Sequence, residues 1–166
     1  MPADSANFYG VSPRLTRLER MYVREPIYFV TACTIQRRHL LADPAIHATF
    51  RKFAERGSTA GARIGAYVLM PDHLHVFVAL DGEHIKLSDW MRSLKGVLSA
   101  TLREEKIAAP YWQKSFFDHV LRSQESAAQK WQYVRENPTR AGLVTGWSEW
   151  PYSGEIFPLE YRTEAL

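Results

Sequence analysis

Ala62-Arg-Ile-Gly-Ala-Tyr-Val-Leu-Met-Pro-Asp-His-Leu-His-Val-Phe-Val-Ala-Leu80 consists of two apolar runs joined by a proline and an aspartate. Pro71 and Asp72 suit the two central positions of a tight turn, since proline presets φ and aspartate bonds to its own backbone. Ala62–Met70 and His73–Leu80 are therefore expected to be the two arms of an antiparallel hairpin. Strand side chains alternate between faces, so His73 and His75 share one face while Leu74 points to the other. Two imidazoles so placed lie roughly 7 Å apart at Cβ, close enough to converge on one metal ion. They are equally compatible with ordinary half-buried strand histidines, so the pair alone does not establish a metal site.

Around this hairpin, Ile27–Ile35 is rich in aromatic and β-branched residues and is expected to be a strand. Asp43-Pro44 supplies an N-cap and a first-turn proline for a helix striped by Ile46, Phe50, Phe53 and Ala54, which Gly57 can end. Past Asp81-Gly82, Ser88 is a candidate cap for a second helix with Leu87, Trp90, Met91, Leu94, Val97, Leu98 and Leu102 on its apolar face. A short strand is expected within Phe116–Leu121, then a helix capped by Ser123 and running to about Asn137. The order strand, helix, strand, strand, helix, strand defines a split βαβ, ferredoxin-like α+β fold. It predicts an antiparallel sheet with helices on one face and an added C-terminal helix.

At 166 residues the chain is expected to be a single domain, residues 1–166. Residues 1–25 are expected to be a basic N-terminal arm and residues 145–166 an irregular tail. A hydrophobic content of 46% with 23% charged residues suits a folded protein. No apolar run approaches the length of a membrane span, and the N-terminus lacks the blocks of a signal peptide, so a cytoplasmic protein with no membrane partner is expected. Cys33 stands alone, which excludes a disulfide framework and a cysteine metal site. The net charge of +3 is concentrated in residues 1–40, where six arginines face three acidic residues. Such an arm fits a polyanion and fits a solvated surface equally well.

On the last helix Ala127, Trp131 and Val134 mark the buried stripe, and Tyr133 lies about 200° round from Trp131. Asn137 sits one turn on from Tyr133, on the same side, although the proline after it biases it out of the helix. A phenol and an amide oxygen presented together can serve as nucleophile and weak metal ligand, or simply as surface residues at a helix end.

Three motifs then combine: Met70-Pro-Asp-His-Leu-His75, Phe117-Asp-His-Val-Leu-Arg-Ser-Gln-Glu-Ser126 and Tyr133-Val-Arg-Glu-Asn-Pro-Thr-Arg-Ala-Gly-Leu-Val144. Together they resemble the single-tyrosine His-hydrophobe-His transposases, most closely the REP-associated tyrosine branch. The resemblance spans roughly residue 20 to residue 152. It implies a DNA endonuclease and transesterase that cleaves and rejoins single strands near hairpins through a 5′-phosphotyrosine intermediate. It makes Tyr133 the nucleophile and His73 and His75 metal ligands, with Asn137 where relatives place a third, amide-bearing ligand. It implies Mg2+ or Mn2+ as cofactor, although two imidazoles alone would favour a later transition metal. Its DNA would be single-stranded or hairpin, of the repetitive extragenic palindrome type, in a bacterial, nucleoid-associated setting. The state would be either a homodimer with shared sites or a monomer.

Arg14, Arg17, Arg20, Lys95, Arg122 and Arg140 are the candidate DNA contacts, each also readable as a solvated charge. Asp118 and His119 resemble the family motif and suit a supporting role. His39, His47 and His84 have no recognisable spacing and are expected at the surface, while Trp90 and Trp131 suit the core. A second reading makes the chain a catalytically silent nucleic-acid-binding module, with Tyr28, Phe29 and Tyr67 stacking bases on an open sheet face. A third makes it a small metal hydrolase in which water attacks.

Overall fold

The computed structural model describes residues 26–159. Among them five strands, β1 (Ile27–Cys33), β2 (Ala62–Leu69), β3 (His73–Leu80), β4 (Phe117–Leu121) and β5 (Ser153–Glu155), form one sheet in the order β4-β1-β3-β2-β5. Every neighbouring pair is antiparallel. Helices α1 (Pro44–Gly57) and α2 (Leu87–Glu104) pack on one face, and α3 (Gln124–Arg135) packs on the other. A one-turn helix α4 (Asn137–Arg140) follows α3. This is the split βαβ plan with its added helix, and the histidine strand β3 lies at the centre of the sheet. The residues 1–25, which contain the expected basic arm with Arg14, Arg17 and Arg20, lie outside the described residues. No helix of the described residues is long and apolar enough to cross a membrane.

The alternation of β1 and β3 sorts residues between the two faces. Val30, Ala32, Leu74, Val76, Val78 and Leu80 enter the main core with Ile46, Phe50, Met91, Leu94 and Leu98 from the two crossover helices. Each of these side chains other than Ala32, fully withdrawn from water, contributes roughly 1.5–3 kcal/mol. The opposite face carries Ile27, Phe29, Phe77 and Ala79, on which Ala127 and Trp131 of α3 rest. Asp43 caps α1 by accepting from the Ala45 and Ile46 amides at 2.8 and 3.2 Å, as its sequence position foretells.

Four local details depart from the sequence expectation. Helix α1 ends at Gly57 as expected, but that glycine is right-handed, and the left-handed residue is Gly61 (φ +93°), after a 3-10 turn at Ser58–Ala60. Ser88 lies inside α2, whose N-cap is Lys86 and makes no side-chain cap bond. The tail is not wholly irregular: a 3-10 turn at Trp147–Glu149 leads to β5, which pairs with Ala66–Val68. Finally, a bulge between Ile64 and Tyr67 inserts one residue into β2 and reverses its alternation. Ile64 and Tyr67 both face the main core, leaving Val68 and Met70 for α3. A Cβ at Gly65 would lie 2.7 Å from Leu159 Cδ1, so a larger residue there would have to displace the Leu159 side chain.

Candidate active site

The hairpin turn that carries the histidines is fastened from outside. Thr34 donates its amide and its hydroxyl to the Asp72 carbonyl, and the Leu40 and Leu41 amides donate to the Pro71 carbonyl. Within that fastening loop Gln36 and Arg37 adopt left-handed φ values of 50° and 55°. Two successive non-glycine residues there cost about 1–2 kcal/mol each, and strain of this kind concentrates near functional sites.

His73 and His75 emerge on the same face of β3, their ring centroids 4.9 Å apart. Each ring is held through Nδ1. His73 Nδ1 donates to Asp72 Oδ1 at 2.7 Å, and His75 Nδ1 lies 2.8 Å from Thr31 Oγ1 on β1. Thr31 is the register partner of His75, so strand pairing itself places this contact. With both Nδ1 atoms engaged, the two Nε2 atoms are left for a ligand, which is how metal-binding histidines are usually oriented.

Burial, then the neighbouring charges of His73, Lys130, Arg140 and Arg37, depress the pKa of His75 to about 3. The ring is therefore neutral near pH 7 and able to donate a lone pair. Burial raises the pKa of Asp72, but the His73 hydrogen bond and charge, with the charge of Arg37 3.5 Å away, outweigh it and hold the carboxyl below its ordinary value. Asp72 is thus an anion that orients His73.

Helix α3 lies over this same face. Ser123 begins it by accepting from the Ser126 amide at 3.1 Å. Val134 is buried against Val68 of β2 and Met70 just beyond it, and Trp131 meets Phe77 edge-on at 6.1 Å. Phe29 stacks on His75 at 5.2 Å, and Lys130 Nζ sits 5.2 Å above the Phe29 ring. Tyr133 turns away from the packed stripe and is 64% exposed. Its ring lies 4.1 Å beneath the Arg140 guanidinium, whose Nη2 donates to the Tyr133 carbonyl at 2.6 Å and to Asn137 Oδ1. Arg140 is also among the charges that lower the pKa of His75. Asn137 is the first residue of α4 and stays helical despite Pro138, which occupies a first-turn position where its missing amide costs nothing.

The ligand set fits a single divalent ion only in part. No three His, Cys, Asp or Glu side chains among the described residues gather round one point. The available donors are two imidazole nitrogens and, through Asn137, an amide oxygen now held by Arg140.

The other candidate residues are distributed differently. Lys95 Nζ donates to the Gln113 and Ser115 carbonyls at 3.0 and 3.3 Å, so its charge ties the loop before β4 to α2. Arg122 is exposed just after β4, and Asp118 and His119 are exposed on that edge strand. Of the histidines expected at the surface, His47 is instead half-buried with Nε2 2.8 Å from the Tyr67 hydroxyl, and His84 donates to Asp81. Tyr67, expected on an open sheet face, is fully buried by the β2 bulge. Sequence reasoning missed Thr31, Arg37 and Lys130. Only Lys130 carried a usable signal, one helical turn before Tyr133.

Residues 23–137 match the family model described as transposase, IS200 like. The chain belongs to the IS200-like transposase family. The matched stretch contains both histidines and Tyr133 and ends at Asn137. A curated relative, the REP-associated tyrosine transposase of Escherichia coli K12, is 24% identical over 140 residues, covering 84% of this chain and 82% of the relative. A solved structure of a REP-associated tyrosine transposase bound to a REP hairpin is 22% identical, with a TM-score of 0.66. It covers 86% of this chain and 88% of that one. At that identity the structural likeness speaks for the fold, and it agrees with the sheet and helix layers described above.

Proposed function

We propose that this family member is a divalent-metal-dependent transesterase that cleaves and rejoins single-stranded DNA beside hairpins, with Tyr133 as nucleophile. Two features support the reading: a pair of imidazoles whose Nδ1 atoms are engaged, leaving Nε2 for a ligand, on the sheet face that α3 covers, and an exposed phenol on α3 lying under the Arg140 guanidinium. The hairpin substrate is supported by the relative named as bound to a REP hairpin. A cytoplasmic protein working at bacterial nucleoid DNA is the setting that fits.

In the proposed step the Tyr133 oxygen attacks a backbone phosphorus. The tyrosyl O–P bond forms and the P–O3′ bond breaks. The phenolic proton is lost to solvent and the departing 3′ oxygen gains one. The product is a 5′-phosphotyrosine with a free 3′-hydroxyl, and attack by a DNA 3′-hydroxyl reverses it to rejoin strands. His73 Nε2, His75 Nε2 and Asn137 Oδ1 would hold the ion, Mg2+ or Mn2+. When bound, the ion offsets the growing negative charge on the phosphate oxygens. Asp72 and Thr31 keep the imidazoles aimed, and Arg140 and Lys130 supply positive charge for the phosphate. Arg122, exposed just after β4, would contact the same strand, and Arg14, Arg17 and Arg20 would add phosphate contacts from the arm.

The silent-module reading is weakened because neither sheet face is open: α1 and α2 cover one and α3 the other, with Tyr67 inside the core. The deciding experiment incubates wild type and Tyr133→Phe with a labelled single-stranded hairpin and Mn2+. A denaturant-stable protein–DNA adduct from wild type alone is expected. Cleavage that persists in Tyr133→Phe, with no adduct, would establish water as the attacker and overturn the proposal.

A further inference from the structure

Arg140 is held by an unusual set of partners for an exposed guanidinium. It donates to the Tyr133 carbonyl and to the Asn137 side-chain oxygen, and it covers the Tyr133 ring. None of these acceptors is charged, and none of the ion pairs among the described residues involves Arg140. A phosphate diester is a better partner, because a guanidinium binds it through two parallel charge-assisted bonds. The oxygen Arg140 now occupies is also the one proposed above as the third metal ligand.

We infer that Arg140 is a latch: without DNA it holds the Asn137 oxygen and the Tyr133 ring, and a DNA phosphate draws it away, releasing that oxygen to the metal. The inference rests on the proposed metal role of His73, His75 and Asn137. It makes metal and strand binding mutually reinforcing, since each ligand then raises affinity for the other by the same factor. It also assigns Arg140 a positioning role in the DNA-free protein, distinct from a plain phosphate contact. A metal ion arriving before DNA would find two nitrogens and an engaged amide, and the third ligand would become available only with substrate in place.

The test is a double-mutant cycle on Mn2+ affinity, measured by calorimetry with wild type, Arg140→Ala, Asn137→Ala and the double variant. Removing the latch is expected to raise affinity about tenfold, the scale of one hydrogen bond to a charged group. Part of that rise comes simply from deleting a nearby positive charge. The double variant reports that part, so the Arg140→Ala gain is expected to shrink to about threefold or less in the Asn137→Ala background. A second arm adds a single-stranded oligonucleotide to the Tyr133→Phe protein. The oligonucleotide is expected to raise Mn2+ affinity, and the rise is expected to be several-fold smaller when Arg140→Ala is also present. An equal gain in both Asn137 backgrounds, or an oligonucleotide effect that ignores Arg140, overturns the latch and leaves the metal site standing. Mn2+ binding that His73→Ala does not weaken overturns the metal reading itself, and the latch with it.

Discussion

Thr31 and His75 meet across two strands, 44 residues apart in sequence, at 2.8 Å. Nothing near His75 announces that contact. The paired histidines were legible because they share one strand, but their orienting partners depend on register, which a single sequence does not print. Thr31→Val keeps the shape and deletes the hydroxyl, so Mn2+ affinity is expected to fall about 10- to 100-fold, read by calorimetry, with the circular dichroism unchanged. Undiminished binding would remove Thr31 from the site. His75 also has a consequence for acid stability. Its pKa is about 3 folded against an ordinary 6.5, so between those values the unfolded chain binds more protons and stability falls as pH falls. In chelator, urea unfolding of wild type is expected to lose about 2 kcal/mol between pH 7 and pH 5 beyond whatever His75→Gln loses. Parallel pH profiles for the two proteins would contradict this.

At the scale of elements, α1 and the hairpin were readable because cap, stripe and turn residues all agreed. β2 and the tail were not. Strict alternation would place Tyr67 with Arg63 and Gly65, and only the extra residue of the bulge moves its ring beside Phe50. β5 has three residues, too few to show any period. The tyrosine helix was legible in its stripe and its cap, yet its contact with the sheet is thin, resting chiefly on Trp131 and Val134. Ser123→Ala removes the cap and is expected to cost about 1 kcal/mol locally. Amide exchange in α3 should then quicken about fivefold while β3 is unaffected. Uniform acceleration across both would mean that the helix and sheet open together.

Across the whole molecule the two sheet faces do different work. The face under α1 and α2 holds most of the large buried side chains, whereas the other carries the histidines and is covered by the helix that bears Tyr133. Leu98→Ala is expected to lower global stability by about 2–5 kcal/mol, while the folded fraction still forms the covalent adduct. Trp131→Ala is expected to show the reverse balance, with a smaller stability loss and a larger loss of adduct. Chemical denaturation paired with the adduct assay separates the two, and equal effects in both variants would erase the division.

The loop at Gln36 and Arg37 carries its cost in the backbone, and it is kept in place by hydrogen bonds to the turn that precedes His73. It therefore behaves as a wound spring pressed against the hairpin. Gln36→Gly would relax it, raising the free energy of unfolding by about 1 kcal/mol. Thermal unfolding would register the gain. Arg37 would keep its reach to Asp72, so the tension can be let out of the molecule without disturbing the carboxylate that steers the first imidazole.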